Sequence, residues 1–378
     1  QLSIELYDTI DKKVVWSDRW QEKWDNLPTI KMNLSDGLLK ALDTTSKVKS
    51  KVETTNTEAY EFYLKAKHKY DKRENTDDTE ISRGLLNKAI ELDDNLIAAK
   101  LLLGQTYTQM GDYDRGMDIY TLALKQSEEL GEKHGIGSSL NSIGNVHHNK
   151  DDYDKALDYY ERSLVIYEEL GDKRGILHNI GNVHSDKGDY DKALDYFGRS
   201  LVIFEELGNK SGMGLSLNGI GVVHKDKGDL DTALDYCERS LAIHEELGYK
   251  FGIGLNLGNI GIVYYNKSDY KKALDDLEES LRIDKEIGFK GLELETTTYL
   301  YLAYKHLGKD YDKKEIHRLI KDAKNIEFEL NYQLYKLLEE KSYLGIAYNA
   351  VQELADNLEP DVAAKFLSYP IPKAIVEE

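Results

Sequence analysis

Apolar residues along this chain recur with the period of a helix rather than the alternation of a strand. The pattern repeats in long blocks. IGNVHHNKDDYDKALDYYERSLVIYEELG (143–171), IGNVHSDKGDYDKALDYFGRSLVIFEELG (180–208), IGVVHKDKGDLDTALDYCERSLAIHEELG (220–248) and IGIVYYNKSDYKKALDDLEESLRIDKEIG (260–288) are near copies. Turn anchors fall at Gly111, Asp151, Gly188, Gly228, Ser268 and Gly308, spaced by 40, 37, 40, 40 and 40 residues. Each copy predicts one helix through the LNSIGNVHHN-like stretch, a turn, and a second helix ending at EELG. Gly144, Gly181, Gly221 and Gly261 sit mid-helix, where glycine costs about 1 kcal/mol relative to alanine. Their common register predicts a close helix crossing. Ala156, Ala193, Ala233 and Ala273 face it, Ser163, Ser200, Ser240 and Ser280 follow as the next small position, and Tyr160, Phe197, Cys237 and Leu277 fill one shared buried register.

The small-residue register, the GDY turn and the KAL–(Y/F) pattern resemble the tetratricopeptide repeat over residues 57–330, in about seven units. The usual unit of about 34 residues ends near a proline. Here EELG extends the second helix until a glycine stops it. This longer form resembles the repeats of kinesin light chains and related adaptors. The resemblance implies an all-α fold, a right-handed superhelical solenoid of helix pairs. Two units depart from the pattern. GDKRGILHNIG (171–181) is three residues short against GEKHGIGSSLNSIG (131–144), so its first helix should start a turn later and notch the groove. The seventh unit carries Tyr301 in place of glycine, and its second helix is open to a register shift.

The ends read differently. LSIELYDTIDKKVVWSDRW predicts two strands around a polar turn at Asp8–Lys13, in a segment 1–26 that carries Trp16, Trp20 and Trp24. Residues 27–56 predict a linker helix with Leu34, Leu38, Leu39 and Leu42 on one side, and residues 331–378 a C-terminal helical cap. Within the cap, helices are expected around Leu334–Leu338 and Leu344–Leu354, and Phe366, Leu367, Ile371 and Ile375 suit covering the last apolar face. VVWSDRWQEKWDNLPTIKMNLSDGLLKAL followed by TTNTEAYEFYLKAKHKYDKR resembles the junction at which a TolB-like α/β domain hands over to tetratricopeptide repeats. Such junctions occur in bacterial multidomain adenylate/guanylate cyclases and some transmembrane transcription regulators. The resemblance implies a catalytic or DNA-binding domain upstream of Gln1, and the opening at Gln1 reads as part of a longer polypeptide.

Composition narrows the function classes. Only 4 prolines occur in 378 residues, where average usage gives about 19, and Pro28, Pro360, Pro370 and Pro372 all lie outside residues 29–359. The net charge of −19 disfavours nucleic acid and anionic membrane surfaces as partners. A single cysteine, Cys237, excludes an internal disulfide framework and CxxC motifs, and no apolar run reaches membrane-spanning length. No signal peptide is visible, so cytoplasmic residence is the expectation.

Candidate chemistry is sparse. GMGLSLNGIG (212–221) and GIGLNLGNIG (252–261) follow helices rather than the strand a dinucleotide site needs. Cys237 sits in a packing register. His147, His184 and His224 share a register that could suggest a metal ladder. Helices about 8–10 Å apart with no recurring carboxylate beside them favour an aromatic packing position instead. Glu168–Glu169, Glu205–Glu206 and Glu245–Glu246 point about 100° apart and read as a solvated face. No catalytic residue, cofactor or metal is expected.

The first helix of each repeat lines the concave surface in the family that these units resemble. Carried over by position, that lining is Asn141, Asn145, His148 and Asn149; His178, Asn182, Ser185 and Asp186; Asn218, Val222, Lys225 and Asp226; and Gly258, Ile262, Tyr265 and Asn266. The asparagines suit hydrogen bonding to an extended peptide, or are simply tolerated polar positions. Lys225 is a candidate anchor for an acidic group, and Tyr265 with Ile262 for an apolar one. The expected function is a non-catalytic scaffold binding a peptide or partner helix, as the regulatory region of a bacterial signalling protein. Two other readings stay open: the sensory part of a cyclase whose catalytic domain lies upstream, and a self-assembly module forming a homo-oligomer through the hairpin or the cap.

Overall fold

The computed structural model of the chain describes residues 2–8, 13–20 and 56–378, apart from 72, 74, 75, 172–174, 288–291 and 324. Strands β1 (Leu2–Asp8) and β2 (Lys13–Trp20) pair antiparallel, from Leu2 opposite Trp20 to Asp8 opposite Lys13, with a register shift after Leu6. The helix expected over 27–56 lies outside the described residues. All other regular structure described is helical, in two compact units, 1–172 and 173–378.

The first unit holds three helix pairs: α1 (Thr57–Asp71) with α2 (Thr76–Leu92), α3 (Ile97–Thr108) with α4 (Tyr113–Leu130), and α5 (Lys133–His148) with α6 (Tyr153–Leu170). Ala59, Tyr60, Ala66, Leu86, Ala89, Leu96, Ala99 and Leu103 form its first core. Lys100 is buried within it, its Nζ 2.7 Å from Asp94 Oδ1, so the stem packs while the charge stays paired.

The second unit continues with α7 (Ile176–Asp186) and α8 (Tyr190–Glu206), α9 (Lys210–Asp226) and α10 (Leu230–Leu247), α11 (Lys250–Asn266) and α12 (Tyr270–Ile287), and α13 (Glu293–His306) and α14 (Lys313–Asp322). Four helices close it: α15 (Phe328–Leu338), α16 (Lys341–Asp356), α17 (Pro360–Ser368) and α18 (Pro370–Glu377).

The glycine register is a steric necessity. A Cβ on Gly144 would stand 2.7 Å from the Tyr160 ring, on Gly181 2.7 Å from Phe197, on Gly221 2.6 Å from Cys237 Sγ and on Gly261 2.7 Å from Leu277. Those four partners and the four register alanines are at most 1 % exposed. The register serines tie the pairs further: Ser163, Ser240 and Ser280 Oγ donate to the carbonyls of Gly137, Gly214 and Gly254 at 2.7–2.8 Å. The short fourth copy behaves differently. Helix α7 begins four residues before Ile180, whereas α5 begins ten before Ile143, so it starts six residues later in register. Ser200 accepts from Ser216 Oγ at 3.1 Å.

All six turn anchors have positive φ, from 58° at Asp151 to 83° at Gly228. The aspartates that follow at 112, 189 and 229 cap the next helix by accepting its N–H at the third residue on. Gly131, Gly171, Gly208 and Gly248 end the second helices with φ of 62–71°.

In the seventh pair Tyr301 occupies the crossing register. Its ring lies 5.3 Å from Tyr311, and its hydroxyl donates to Glu315 of α14. A tyrosine cannot admit the close approach that glycine allows. Helix α14 is only 10 residues long, and Leu334 and Leu337 of α15 complete the core formed by Ile262, Tyr265, Leu277, Tyr299 and Leu300.

Gly221→Val should lower stability by about 3 kcal/mol, the upper end of overpacking costs. Ser268→Gly, which relieves a left-handed serine at φ 63°, should raise it by about 0.5–1 kcal/mol. Chemical denaturation at constant slope checks both.

Candidate binding groove

In each repeat pair the carried-over lining falls on the first helix. In the first unit Asn141, Asn145 and His148 are half-buried and Asn149 is exposed. Asn145 Oδ1 accepts from Tyr160 OH at 2.6 Å, which ties it to the crossing register, and the His148 ring lies 6.0 Å from Tyr153.

In the second unit the inner face is covered by the chain's own C-terminal helices. Helix α15 lies against α9, α11 and α13. Tyr299 OH of α13 donates to Glu329 Oε1 at 2.8 Å, and Lys225 Nζ of α9 lies 3.8 Å from the same oxygen. Further along, Lys336 Nζ sits 5.6 Å above the Tyr265 ring of α11. Lys305 Nζ donates to the Lys336 carbonyl at 2.9 Å and pairs with Glu339 at 2.8 Å, and Tyr311 OH donates to the Leu337 carbonyl at 3.2 Å. The carbonyls at the C-terminal end of α15 thus receive the donors that a helix end requires.

Helices α17 and α18 seat on the turn edge. Phe366 is fully buried, 5.9 Å edge-on to Phe328 and 6.5 Å from Tyr190, and Tyr369 lies 5.0 Å from Tyr190. A Cβ on Gly188 would stand 2.6 Å from Phe366, and one on Gly228 2.6 Å from Pro370. Ser268 and Asp151 occupy the same left-handed turn position in other copies, so φ alone does not demand glycine there; at 188 and 228 the contact does. Asp191 receives Lys365 at 2.9 Å and Lys227 at 2.8 Å, and the Lys227 and Lys365 ammonium groups hold its carboxyl below the usual range.

The carried-over lining of this unit is distributed as follows. Lys225, Ile262 and Tyr265 are buried beneath or beside α15. Asn218 is 9 % exposed and its Oδ1 accepts from Asn259 Nδ2 at 2.9 Å, a bond between neighbouring copies. Gly258 is buried, Val222 and Asn266 are half-buried, as are Asn182 and Ser185, and Asp186 is exposed. His178 packs 5.2 Å from Phe197, and burial pushes its imidazole pKa down to about 4.

Sequence reasoning placed Lys225 and Asp226 in the groove but not the groups that meet them: Glu295 and Tyr299 of α13 and Glu329 of α15. A signal existed for Glu295. It stands where the two preceding copies have Leu215 and Leu255, a carboxylate in an apolar register. The cluster is strongly perturbed. Burial pushes the Asp226 carboxyl up to about 7, with Lys225 opposing and Glu329 adding to the rise. Burial raises Glu295 too, against Lys225. Burial would lower the Lys225 ammonium, but the carboxylates of Asp226, Glu329 and Glu295 outweigh it and its pKa is raised.

The shared histidine register is an aromatic stack. His147, His184 and His224 lie 5.4, 5.5 and 5.8 Å from Tyr159, Tyr196 and Tyr236, with planes within 10°. Arg162, Arg199 and Arg239 cover those tyrosines about 5 Å from the ring centres. Each Nδ1 faces the aspartate at the N-cap of the next helix, at 3.4 Å from Asp152, 3.8 Å from Asp189 and 3.3 Å from Asp229, so a carboxylate does recur beside the histidines, contrary to the expectation from the sequence. Among the described residues no cluster of three or more His, Cys, Asp or Glu is arranged to hold a metal, and no helix is long and apolar enough to cross a membrane.

Family comparison agrees with this architecture: the tetratricopeptide repeat pattern matches residues 95–169, 172–246 and 212–286. The chain belongs to the tetratricopeptide repeat family. Repeats of this family are in general non-catalytic interaction modules. Three solved structures share the fold. A Rap protein complexed with competence and sporulation factor is 15% identical with a TM-score of 0.53, covering 84% of this chain and 98% of that one. The apo form of RapI is 16% identical with a TM-score of 0.52, covering 85% and 96%. A Signal Transduction ATPase with Numerous Domains protein with a tetratricopeptide repeat sensor, from Pyrococcus horikoshii, is 14% identical with a TM-score of 0.51, covering 95% of this chain and 53% of that one. At such identities the likeness is one of fold. No curated protein matches the chain in sequence.

Two outcomes test the packing around the groove. Gly188→Ala should free α17, raising its amide exchange at least tenfold while α12 keeps its protection. For His184, burial lowers the folded pKa to about 4, below the usual 6.5. Its contribution to stability is therefore complete above pH 6.5 and lost as pH falls toward 4. His184→Tyr, which copies Tyr264 of the sixth repeat, should remove that part of the acid sensitivity in thermal melts from pH 7 to 4.5.

Proposed function

We propose that this chain is a protein-interaction scaffold, and that the inner face of its second unit receives a helix or peptide of which α15 is the occupant seen. One observation carries the reading. Helix α15 lies on first helices of three successive repeats, fixed by Glu329 to Tyr299 and Lys225 and by Lys336 over Tyr265. This is the helix-in-groove mode of recognition, in which one apolar face anchors and flanking polar groups set position. The mechanism is recognition alone.

Competition is built into such an arrangement. A segment tethered beside its own site has an effective concentration of about a millimolar, so a segment of micromolar intrinsic affinity weakens the binding of any external ligand about a thousandfold. Asn141, Asn145, His148 and Asn149 of the first unit are the second surface we propose for a ligand. Related folds support a polypeptide ligand and a regulatory role: one is complexed with competence and sporulation factor, and in another the repeats form the sensor of a signalling ATPase. The setting we propose is the regulatory region of a bacterial signalling protein. It rests on the sequence leading into α1, which resembles the junction at which a TolB-like domain hands over to repeats in bacterial multidomain adenylate/guanylate cyclases and some transmembrane transcription regulators.

The test is a labelled peptide of residues 326–339 titrated into the full chain and into Leu337→Ala, which weakens α15 without altering the repeats. Binding at least tenfold tighter to the variant is expected, with far-UV circular dichroism unchanged. A peptide that binds neither protein overturns the reading.

A further inference from the structure

The contact of α15 with α9 and α13 is unbalanced in charge. Among the described residues one ammonium, Lys225, faces the carboxylates of Asp226 on its own helix, Glu295 on α13 and Glu329 on α15. Glu327 stands at the exposed mouth, and Asp186 lies at the end of α7. Three groups with high proton affinity complete the surround: Tyr299 on α13, Tyr190 on α8 and Cys237 on α10. The Lys225, Asp226 and Glu329 side chains are 6, 14 and 16 % exposed, so water screens them little. Asp226 Oδ1 is buried and lies 3.1 Å from Lys225 Nζ without accepting a hydrogen bond. Glu329 has a hydroxyl donor in Tyr299, whereas Asp226 has only Lys225, which it shares.

We propose that the seating of α15 is a proton-linked latch, closed when this cluster holds a proton and loosened as the proton leaves. The latch regulates the groove described above and rests on α15 being its occupant. Removing α15 takes away the Glu329 carboxylate and opens Asp226 and Glu295 to water, which relieves the need for a proton. Closing therefore takes up a proton and opening releases one.

The sign follows from the two states of Asp226. Seated, its carboxyl titrates near 7; with α15 away it returns toward the ordinary carboxylate range, Lys225 still beside it. A group raised in the closed state leaves closure unpenalised below its open-state pKa. The penalty grows as pH rises and is complete above the closed-state value. The latch is thus tightest in mild acid and weakens by up to about tenfold per pH unit toward neutrality. A partner helix that places an amide or apolar side chain where α15 has Glu329 meets no such penalty and gains on α15 as pH rises.

Hydrogen exchange on the full chain, corrected for intrinsic rates, tests this without any external ligand. Protection of α15 amides should fall at least tenfold between pH 5.5 and 7.5, while that of α12 stays level. Glu329→Gln keeps an acceptor for Tyr299 and removes the surplus charge. It should hold α15 protected at pH 7.5 and flatten the slope, and Asp226→Asn should do the same by a second route. Protection of α15 that is high and flat with pH, or a slope unchanged in both variants, overturns the latch and leaves the groove reading standing. Free exchange of α15 at every pH overturns both.

Discussion

Everything in this fold depends on how closely two helices of a pair can approach. The limit is set where Gly144, Gly181, Gly221 and Gly261 meet Tyr160, Phe197, Cys237 and Leu277, at distances that leave no room for a methyl group. Close approach brings the register serines within hydrogen-bonding reach of the facing carbonyls. It also leaves the first helix of each pair as the inner face. The partner side chain differs among these four copies, from a phenol to a thiol, because only its volume against a hydrogen atom matters. Where glycine gives way to Tyr301, the pair opens, α14 shortens and α15 completes the core.

That dependence explains what could be read from the sequence. Positions used identically in every copy carry a signal that repetition amplifies: the glycine crossing and the turns at Gly111 through Gly308 followed from aligning copies, and so did a delayed start of α7, though by six residues where a single turn was expected. The histidine register was legible as packing for the same reason, since Tyr264 appears in one copy where the others have His147, His184 and His224. Positions used once carry no such signal. The seating of Phe366 on Gly188 and Pro370 on Gly228 joins residues more than 140 apart in the chain. Nothing periodic connects them. The cap was readable as apolar helices, but the surface they cover was not.

The groove shows the same division. Lys225 and Tyr265 could be assigned to the inner face by position alone. Their partners could not, because they belong to α13 and α15, where the repeat pattern has decayed. Glu295 replaces leucines at its register and Tyr299 replaces Asn259, a member of the bond that ties it to Asn218. The decay of the consensus in the last pair is therefore where the proposed binding surface acquires its charged and phenolic groups. The glycine-lined copies supply a regular scaffold, and departures from regularity supply the site.

Charge placement points the same way. The chain is strongly acidic, and on its outer surface lysines answer that acidity at a fixed separation of 36 residues. Lys133 pairs with Glu169, Lys150 with Asp114 and Lys227 with Asp191, at 2.6–2.8 Å. Those pairs are wet, and each contributes little, about 0–1 kcal/mol. Inside, one lysine meets several carboxylates with little water to share the load, and burying charge without full compensation is costly. A capping helix under no constraint but stability would have an apolar or amide side chain in place of Glu329, as α15 does at Leu334 and Leu337. Glutamate there holds the occupant below the tightness its apolar face could reach. An occupant weakened at its polar end and strong at its apolar end is one that another helix can displace, which a permanently sealed cap is not.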